Sequence, residues 1–214
     1  ASVGRMLGNK WTLKLGLRGE YTYALGDWIT TKKVTTKNYF NLFPTVFVGY
    51  NPSANWRLNL SYTSRIGRPS FSQLNPFRNY IDANSYVEGN PDLDSQLSRQ
   101  MALSVTFKNH YNLALIYAHT RNLIMQDPYY DETGTKILLW ENFGNQYMLG
   151  GSLSVSELPV TEWLYFTLSG VCVYMGNTSN PTNGQNEQYI NNGVLSSVQG
   201  QLTFLLPKDW KIEL

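Results

Sequence analysis

The chain has 214 residues, a net charge of +2, 15% charged and 14% aromatic residues, and a single cysteine. That length suits one substantial domain, so small a charge leaves no footprint for nucleic acid, and Cys172 alone excludes an intrachain disulfide or a thiolate metal cluster. The longest apolar stretches, such as Ile137 to Trp140, fall far short of the roughly 20 residues a membrane helix needs, so any crossing of a bilayer is by strands.

Period-two alternation runs through the chain, the mark of strands with one apolar and one polar face. From Trp11 to Tyr23, the residues Trp11, Leu13, Leu15, Leu17, Tyr21 and Tyr23 share one side, opposite Thr12, Lys14, Arg18, Glu20 and Thr22. Ala24 to Asn38 reads as a polar loop, and the chain returns through Tyr39 to Tyr50 into the tight turn Asn51 to Asn55. Trp56 to Ser64 ascends, with Leu58, Leu60 and Tyr62 outward and Arg57, Asn59, Ser61 and Thr63 inward. A long connection from Arg65 to Ser95 precedes a descent through Met101, Leu103, Val105 and Phe107, and Lys108-Asn109-His110 turns into Tyr111, Leu113, Leu115 and Tyr117. Beyond Arg121 comes a loop or extended hairpin with its tip at Asp131 to Gly134, then a descent through Trp140 to Val155. Glu157 to Glu162 make the next short turn, and Trp163 to Met175 ascend with a broken parity that a bulge near Trp163 would repair. Gly176 to Gln188 reads as a loop, Val198, Leu202 and Phe204 as a descent, and Pro207-Lys208-Asp209 as a turn into Trp210.

This gives about nine strands in an all-β, antiparallel up-and-down meander, with short turns at one end and long polar loops at the other, the asymmetry of outer-membrane barrels. The last alternating run is still in progress at Leu214, so the expectation is a truncated fragment of a single barrel domain spanning 1–214. The rings Trp11, Trp56, Tyr111, Trp163 and Trp210 all follow short turns, where an aromatic girdle would meet the bilayer surface.

Within the long connection stand Arg65-Ile-Gly-Arg-Pro-Ser-Phe-Ser-Gln-Leu-Asn-Pro-Phe and Glu88-Gly-Asn-Pro-Asp-Leu, with Gly16-Leu-Arg-Gly-Glu-Tyr-Thr and Phe40-Asn-Leu-Phe-Pro-Thr earlier. These resemble the C-terminal β-barrel region of TonB-dependent outer-membrane receptors, in particular the barrel family abundant in Bacteroides-type bacteria. Asp94-Ser95-Gln96 departs from the Lys-Pro-Glu of many relatives, so no role passes to Gln96. The resemblance implies a plugged barrel of about 22 strands in the outer membrane of a Gram-negative bacterium. It also implies import of a scarce solute, capture of that nutrient ligand by outer loops, and a TonB-type inner-membrane partner that pulls on a plug. The plug is absent from this chain, and the isolated fragment is expected to close on itself, to pair edge to edge with a second copy through its bare strands, or to occur only within a larger assembly.

The ligand candidates lie in the long connection: Arg68, Phe71, Phe77, Arg78, Tyr80 and Tyr86, whose rings could stack on cargo. The competing and preferred reading is that these rings pack the loop on itself and fold it over the barrel mouth, since a loop this long needs its own small core. Inward Arg18, Glu20, Arg57 and Arg65 either guide a solute or, the preferred reading, satisfy one another and a plug. His110 and His119 have no ligand spacing around them and no catalytic constellation frames the Ser, His and Asp residues, so neither a metal, a cofactor nor an enzyme is expected. The alternatives are a barrel that does not import (adhesin, porin-like channel or membrane enzyme) and a soluble β-sandwich that binds carbohydrate.

Overall fold

The computed structural model describes residues 1–29, 32–179 and 190–214. It contains the strands β1 (Ser2–Leu7), β2 (Trp11–Trp28), β3 (Lys33–Ser53), β4 (Trp56–Gly67), β5 (Asn79–Asp82), β6 (Ser85–Glu88), β7 (Gln96–Phe107), β8 (Tyr111–Tyr130), β9 (Lys136–Pro159), β10 (Leu164–Ser179), β11 (Ile190–Leu206) and β12 (Trp210–Glu213), with one short helix, α1 (Phe71–Leu74). Among the described residues these twelve strands form one sheet. Ten follow chain order as β1-β2-β3-β4-β7-β8-β9-β10-β11-β12, and β5 and β6 branch from β9. Every pair along the main path is antiparallel, so the up-and-down meander holds, and the path stays open with β1 and β12 at its two ends.

The outward face is apolar in unbroken cross-strand rows. Leu13 faces Val48, Val48 faces Leu60, Leu60 faces Leu103 and Leu103 faces Leu115. Leu60 and Leu115 are 44% and 45% exposed, and no second layer covers the row. Buried apolar side chains among the described residues are Phe43, Tyr86, Leu93 and Ile137, far too few for a sheet of this width in water. A β-sandwich buries the inner faces of two sheets against each other, so that alternative is excluded. The opposite face is a polar ladder, with Ser98 to Thr120 at 2.8 Å and Thr106 to Asn112 at 3.0 Å across neighbouring strands. Arg5 is an exception to the apolar outward side: it pairs with Leu13, two residues from the short-turn end, close enough for its long side chain to reach water.

Several sequence expectations are corrected. Ala24 to Asn38 is not a loop, because β2 and β3 stay paired out to Trp28 and Lys33. Strand there needs no apolar face, so alternation carries no signal, while backbone pairing continues through Thr35, Thr36 and Tyr39, residues that favour strands. β1 was unforeseen, being six residues long with Arg5 interrupting its apolar side. The connection from Arg65 to Ser95 holds α1 and the β5–β6 hairpin, bringing the count from nine strands to twelve. The extended-hairpin option beyond Arg121 is the one adopted, β8 and β9 pairing as far as Tyr130 and Lys136. The parity break lies on the facing strand: Leu168 pairs with Val155 but Phe166 with Leu158, so β9 carries the extra residue, and Glu157 has φ of +47°. With the irregularity on β9, Leu164, Phe166 and Leu168 keep one face and Trp163 stands in the turn before them. Of the expected loop from Gly176 to Gln188, residues 176–179 belong to β10 and 180–188 lie outside the described residues.

Candidate functional site

The long-loop end of the sheet is built around the connection between β4 and β7. β4 ends at Gly67, just before Arg68-Pro69, whose proline has no N–H to give a ladder, and Ser70 then opens α1, its N–H donating to Gln73 Oε1 at 2.8 Å. The two halves of the Asn-Pro-Phe and Gly-Asn-Pro motifs hold each other: Gly89 N–H donates to the Asn75 carbonyl at 3.1 Å and Asn90 N–H to the Gln73 carbonyl at 2.7 Å. A Cβ at Gly89 would stand 2.2 Å from the Asn75 oxygen, so the close approach requires glycine.

Three further contacts fasten this segment to the wall. Lys37 Nζ on β3 donates to the carbonyls of Asp92 (2.8 Å) and Leu93 (2.5 Å) and pairs with Asp94 Oδ1 at 2.7 Å. Asn142 on β9 clasps Asp94 both ways, accepting from its N–H at 2.7 Å and donating to its carbonyl at 2.9 Å. β6 lies parallel to the far end of β9, Tyr86 beside Ile137, and with Leu93 these make the loop's own apolar core.

This geometry divides the six candidate residues. Tyr86 is 4% exposed and belongs to that core, and burial pushes its hydroxyl above the ordinary tyrosine range. Arg78 lies over the Tyr86 ring at 4.7 Å and pairs with Glu88 at 3.1 Å, which holds the guanidinium firmly protonated. Arg68 reaches Glu20 on β2 at 2.6 Å and Thr22 at 3.0 Å, and Glu20 is shared with Arg18 at 3.0 Å. The inward charges Arg18 and Glu20 thus satisfy one another as expected, Arg57 donates to Asn109, and Arg18 also covers the Phe43 ring at 5.1 Å. Phe71 is 74% exposed, and Phe77 and Tyr80 are also exposed, leaving three rings open to solvent.

Sequence reasoning missed Trp28. At the top of β2 it faces Phe71 with ring centroids 6.3 Å apart, and two cavities of about 330 and 400 Å³ share Asp27, Trp28 and Phe71 in their walls, the second also reaching Phe77. The signal was hidden because Ala24 to Asn38 read as a polar loop. What results is a cleft between the β2–β3 hairpin and the connection, with apolar rings on its walls and its nearby arginine, Arg68, already paired.

At the tip of the β8–β9 hairpin, Asp131 Oδ1 accepts from Thr133 Oγ1 at 2.7 Å and from the N–H groups of Thr133 and Thr135, each at 2.9 Å. These bonds favour the carboxylate and hold its pKa below the ordinary 3.8. A group whose folded value is depressed stabilises above its unfolded value and loses that contribution as pH falls through the folded one. The Thr133 and Thr135 amide resonances are therefore expected to titrate with a midpoint below 3.8. A titration midpoint at or above 3.8 contradicts the turn.

At the opposite end, rings gather beside the short turns: Trp11 on Tyr50 at 4.0 Å, Trp56 by Phe107 at 4.4 Å, Phe107 by Tyr111 and Trp163 by Phe204 at 6.0 Å each, with Trp210 exposed. His110 there contacts the Ser156 carbonyl oxygen at 2.9 Å, and no cluster of metal-ligating side chains occurs among the described residues.

A single-layer antiparallel meander with an apolar outside, a polar inside, short turns below and long loops above is a section of a transmembrane β-barrel wall. The chain belongs to the outer membrane protein beta-barrel family, which matches it over residues 1–214, and the outer membrane is its location. Among solved structures, the siderophore receptor PirA of Pseudomonas aeruginosa is similar with a TM-score of 0.59 at 14% identity over 99% of this chain, and the copper transporter OprC with 0.61 at 9% identity over 99%. The iron transporter FrpB of Neisseria meningitidis gives 0.53 at 11% identity over 95%. The chain spans 42%, 40% and 37% of these three proteins. The resemblance to TonB-dependent receptor barrels therefore holds as a resemblance of fold. No curated protein matches the sequence.

Proposed function

We propose that this chain is part of the barrel wall of a TonB-dependent importer, and that the cleft between the β2–β3 hairpin and the β4–β7 connection captures the solute. The observation that carries the reading is the set of exposed rings Phe71, Phe77 and Tyr80 held above a receptor-type wall by a connection that is itself firmly anchored. Solvent-exposed aromatic faces lose free energy to water that a flat or apolar ligand surface recovers. Plug and energising partner belong to the longer protein, whose other strands pair with β1 and β12. The rings at the short-turn end form the periplasmic girdle, with outer-membrane lipid against the rows between them and the long loops. In this reading the chain is a transporter wall.

In the full-length receptor, replacing Phe71, Phe77 and Tyr80 together by alanine is expected to lower uptake at limiting solute by about tenfold or more, each ring contributing on the order of 1 kcal/mol. Tyr86→Phe keeps the buried ring and is expected to leave uptake unchanged. Wild-type uptake by the triple variant would remove the cleft from the import route.

A further inference from the structure

Above the apolar rows, the outward face carries arginines on β7 and β8. On β8 and β9 Tyr117 paired with Leu149 is the last apolar pair, while on β4 and β7 Ile66 still faces Leu97 two rows higher. In the next row Ser64 pairs with Arg99, Arg99 with His119 and His119 with Tyr147, and in the row above that Arg121 pairs with Leu97 and with Asn145. Arg99 and Arg121 therefore stand diagonally on adjacent strands, both exposed, and no Asp or Glu occupies either row of β4, β7, β8 or β9. Neither guanidinium carries an ion pair among the described residues, unlike Arg18, Arg68 and Arg78 on the inside and in the connection. His119 lies flat on the Tyr147 ring, with centroids 4.4 Å apart and planes 7° from parallel, and stands opposite Arg99 and two residues before Arg121.

Height decides what this pair meets. From the ring of Tyr111, eight residues reach His119 and ten reach Arg121. At about 3.4 Å per residue and a tilt near 40°, those are rises of about 21 and 26 Å, which bracket the top of an apolar band about 25 Å tall. Arginines at that level, facing away from the lumen and left without carboxylate partners, face the headgroup layer of the outer leaflet. Planar guanidinium groups bind phosphate by paired hydrogen bonds, and two on neighbouring strands suit a single phosphorylated headgroup whose acyl chains lie along Tyr117 and Leu149 below.

We infer that Arg99 and Arg121 form an external site for a phosphorylated lipid headgroup of the outer leaflet. The site is independent of the import reading, since it lies on the other side of the wall from the cleft. Its test uses the full-length receptor in phosphatidylcholine nanodiscs doped with bisphosphorylated lipid A, with native mass spectrometry counting lipid retained after release from the disc. Wild type is expected to retain lipid A, and Arg99→Gln with Arg121→Gln to weaken retention by about tenfold. Arg99→Lys with Arg121→Lys, which keeps charge and fold but loses the paired geometry, is expected to fall between. Phosphate-free lipid A is expected to bind wild type no better than the double Gln variant. Competition by excess inorganic phosphate, with no preference for lipid A, would show an anion site that is not a lipid site and overturn the proposal. Equal retention by wild type and both double variants would also overturn it.

Discussion

Leu103→Arg is expected to destabilise the full-length barrel in a bilayer by about 2–4 kcal/mol, and Ser104→Lys, one residue along, by far less. The two positions share one strand and differ in the face they occupy. Leu103 sits between Leu60 and Leu115 in the outward row, four residues up from the Phe107 ring, which at about 3.4 Å per residue and the usual tilt is close to the middle of the apolar band. A guanidinium there has neither water nor carboxylate within reach. Ser104 faces the polar side beside Asn59, where an ammonium finds water and side-chain acceptors. Reversible unfolding from phosphatidylcholine vesicles reads both costs. A Leu103→Arg cost no greater than that of Ser104→Lys would mean that hydrocarbon does not bathe the row, and the membrane reading would fall with it.

The wall was legible because hydrocarbon on one side and a wet lumen on the other force a strict two-residue alternation, which is visible wherever both media are present. Strand pairings from Trp11 to Tyr23 and from Trp56 to Tyr117 came straight from that rule. Where the same strands rise clear of the bilayer the rule lapses. Trp28, Thr35 and Tyr129 lie in strands above the hydrocarbon, where no pair of media sorts side chains into two faces, and sequence pattern could not separate them from loop. The β9 irregularity left no mark in the sequence pattern of β10, and the broken parity there arises because Trp163 stands in the turn before the strand.

In the loop, residue type showed that aromatic rings were available and could not show which were spent. Tyr86 and Tyr80 pair across the β5–β6 hairpin with centroids 5.6 Å apart, yet one is enclosed and the other faces solvent. The difference comes from β6 lying against β9, a contact fifty residues distant in sequence that no local pattern announces. Both earlier readings of the loop therefore hold for different residues: Tyr86 packs, while Phe71, Phe77 and Tyr80 remain open. The motif glycine marked the family in the sequence, and its physical role, a place where backbone meets backbone, came only with the fold.

That contact leads to the second large effect. Gly89→Ala is expected to loosen the β4–β7 connection by about 2–4 kcal/mol while leaving the wall intact. The added methyl would lie 2.2 Å from the Asn75 oxygen and 2.8 Å from the Gln73 oxygen, both backbone atoms with no rotamer to yield. Relief requires α1 and the 88–91 segment to separate, which breaks the hydrogen bonds from Gly89 and Asn90, each worth about 1 kcal/mol, and opens Leu93 to water. Lys37 and Asn142 would still tether Asp92 to Asp94, so the damage is confined to the stretch before them. Gly193→Ala, with open space where its Cβ would go, is the matched control in the wall. Limited proteolysis of the full-length receptor in vesicles should cleave the Gly89 variant between Arg68 and Gly89 at a rate at least tenfold above wild type and the Gly193 variant, with the unfolding midpoint of the barrel unchanged in all three. Equal cleavage would mean that the connection is anchored without this contact, and a fallen barrel midpoint would mean that the loop and wall unfold as one unit.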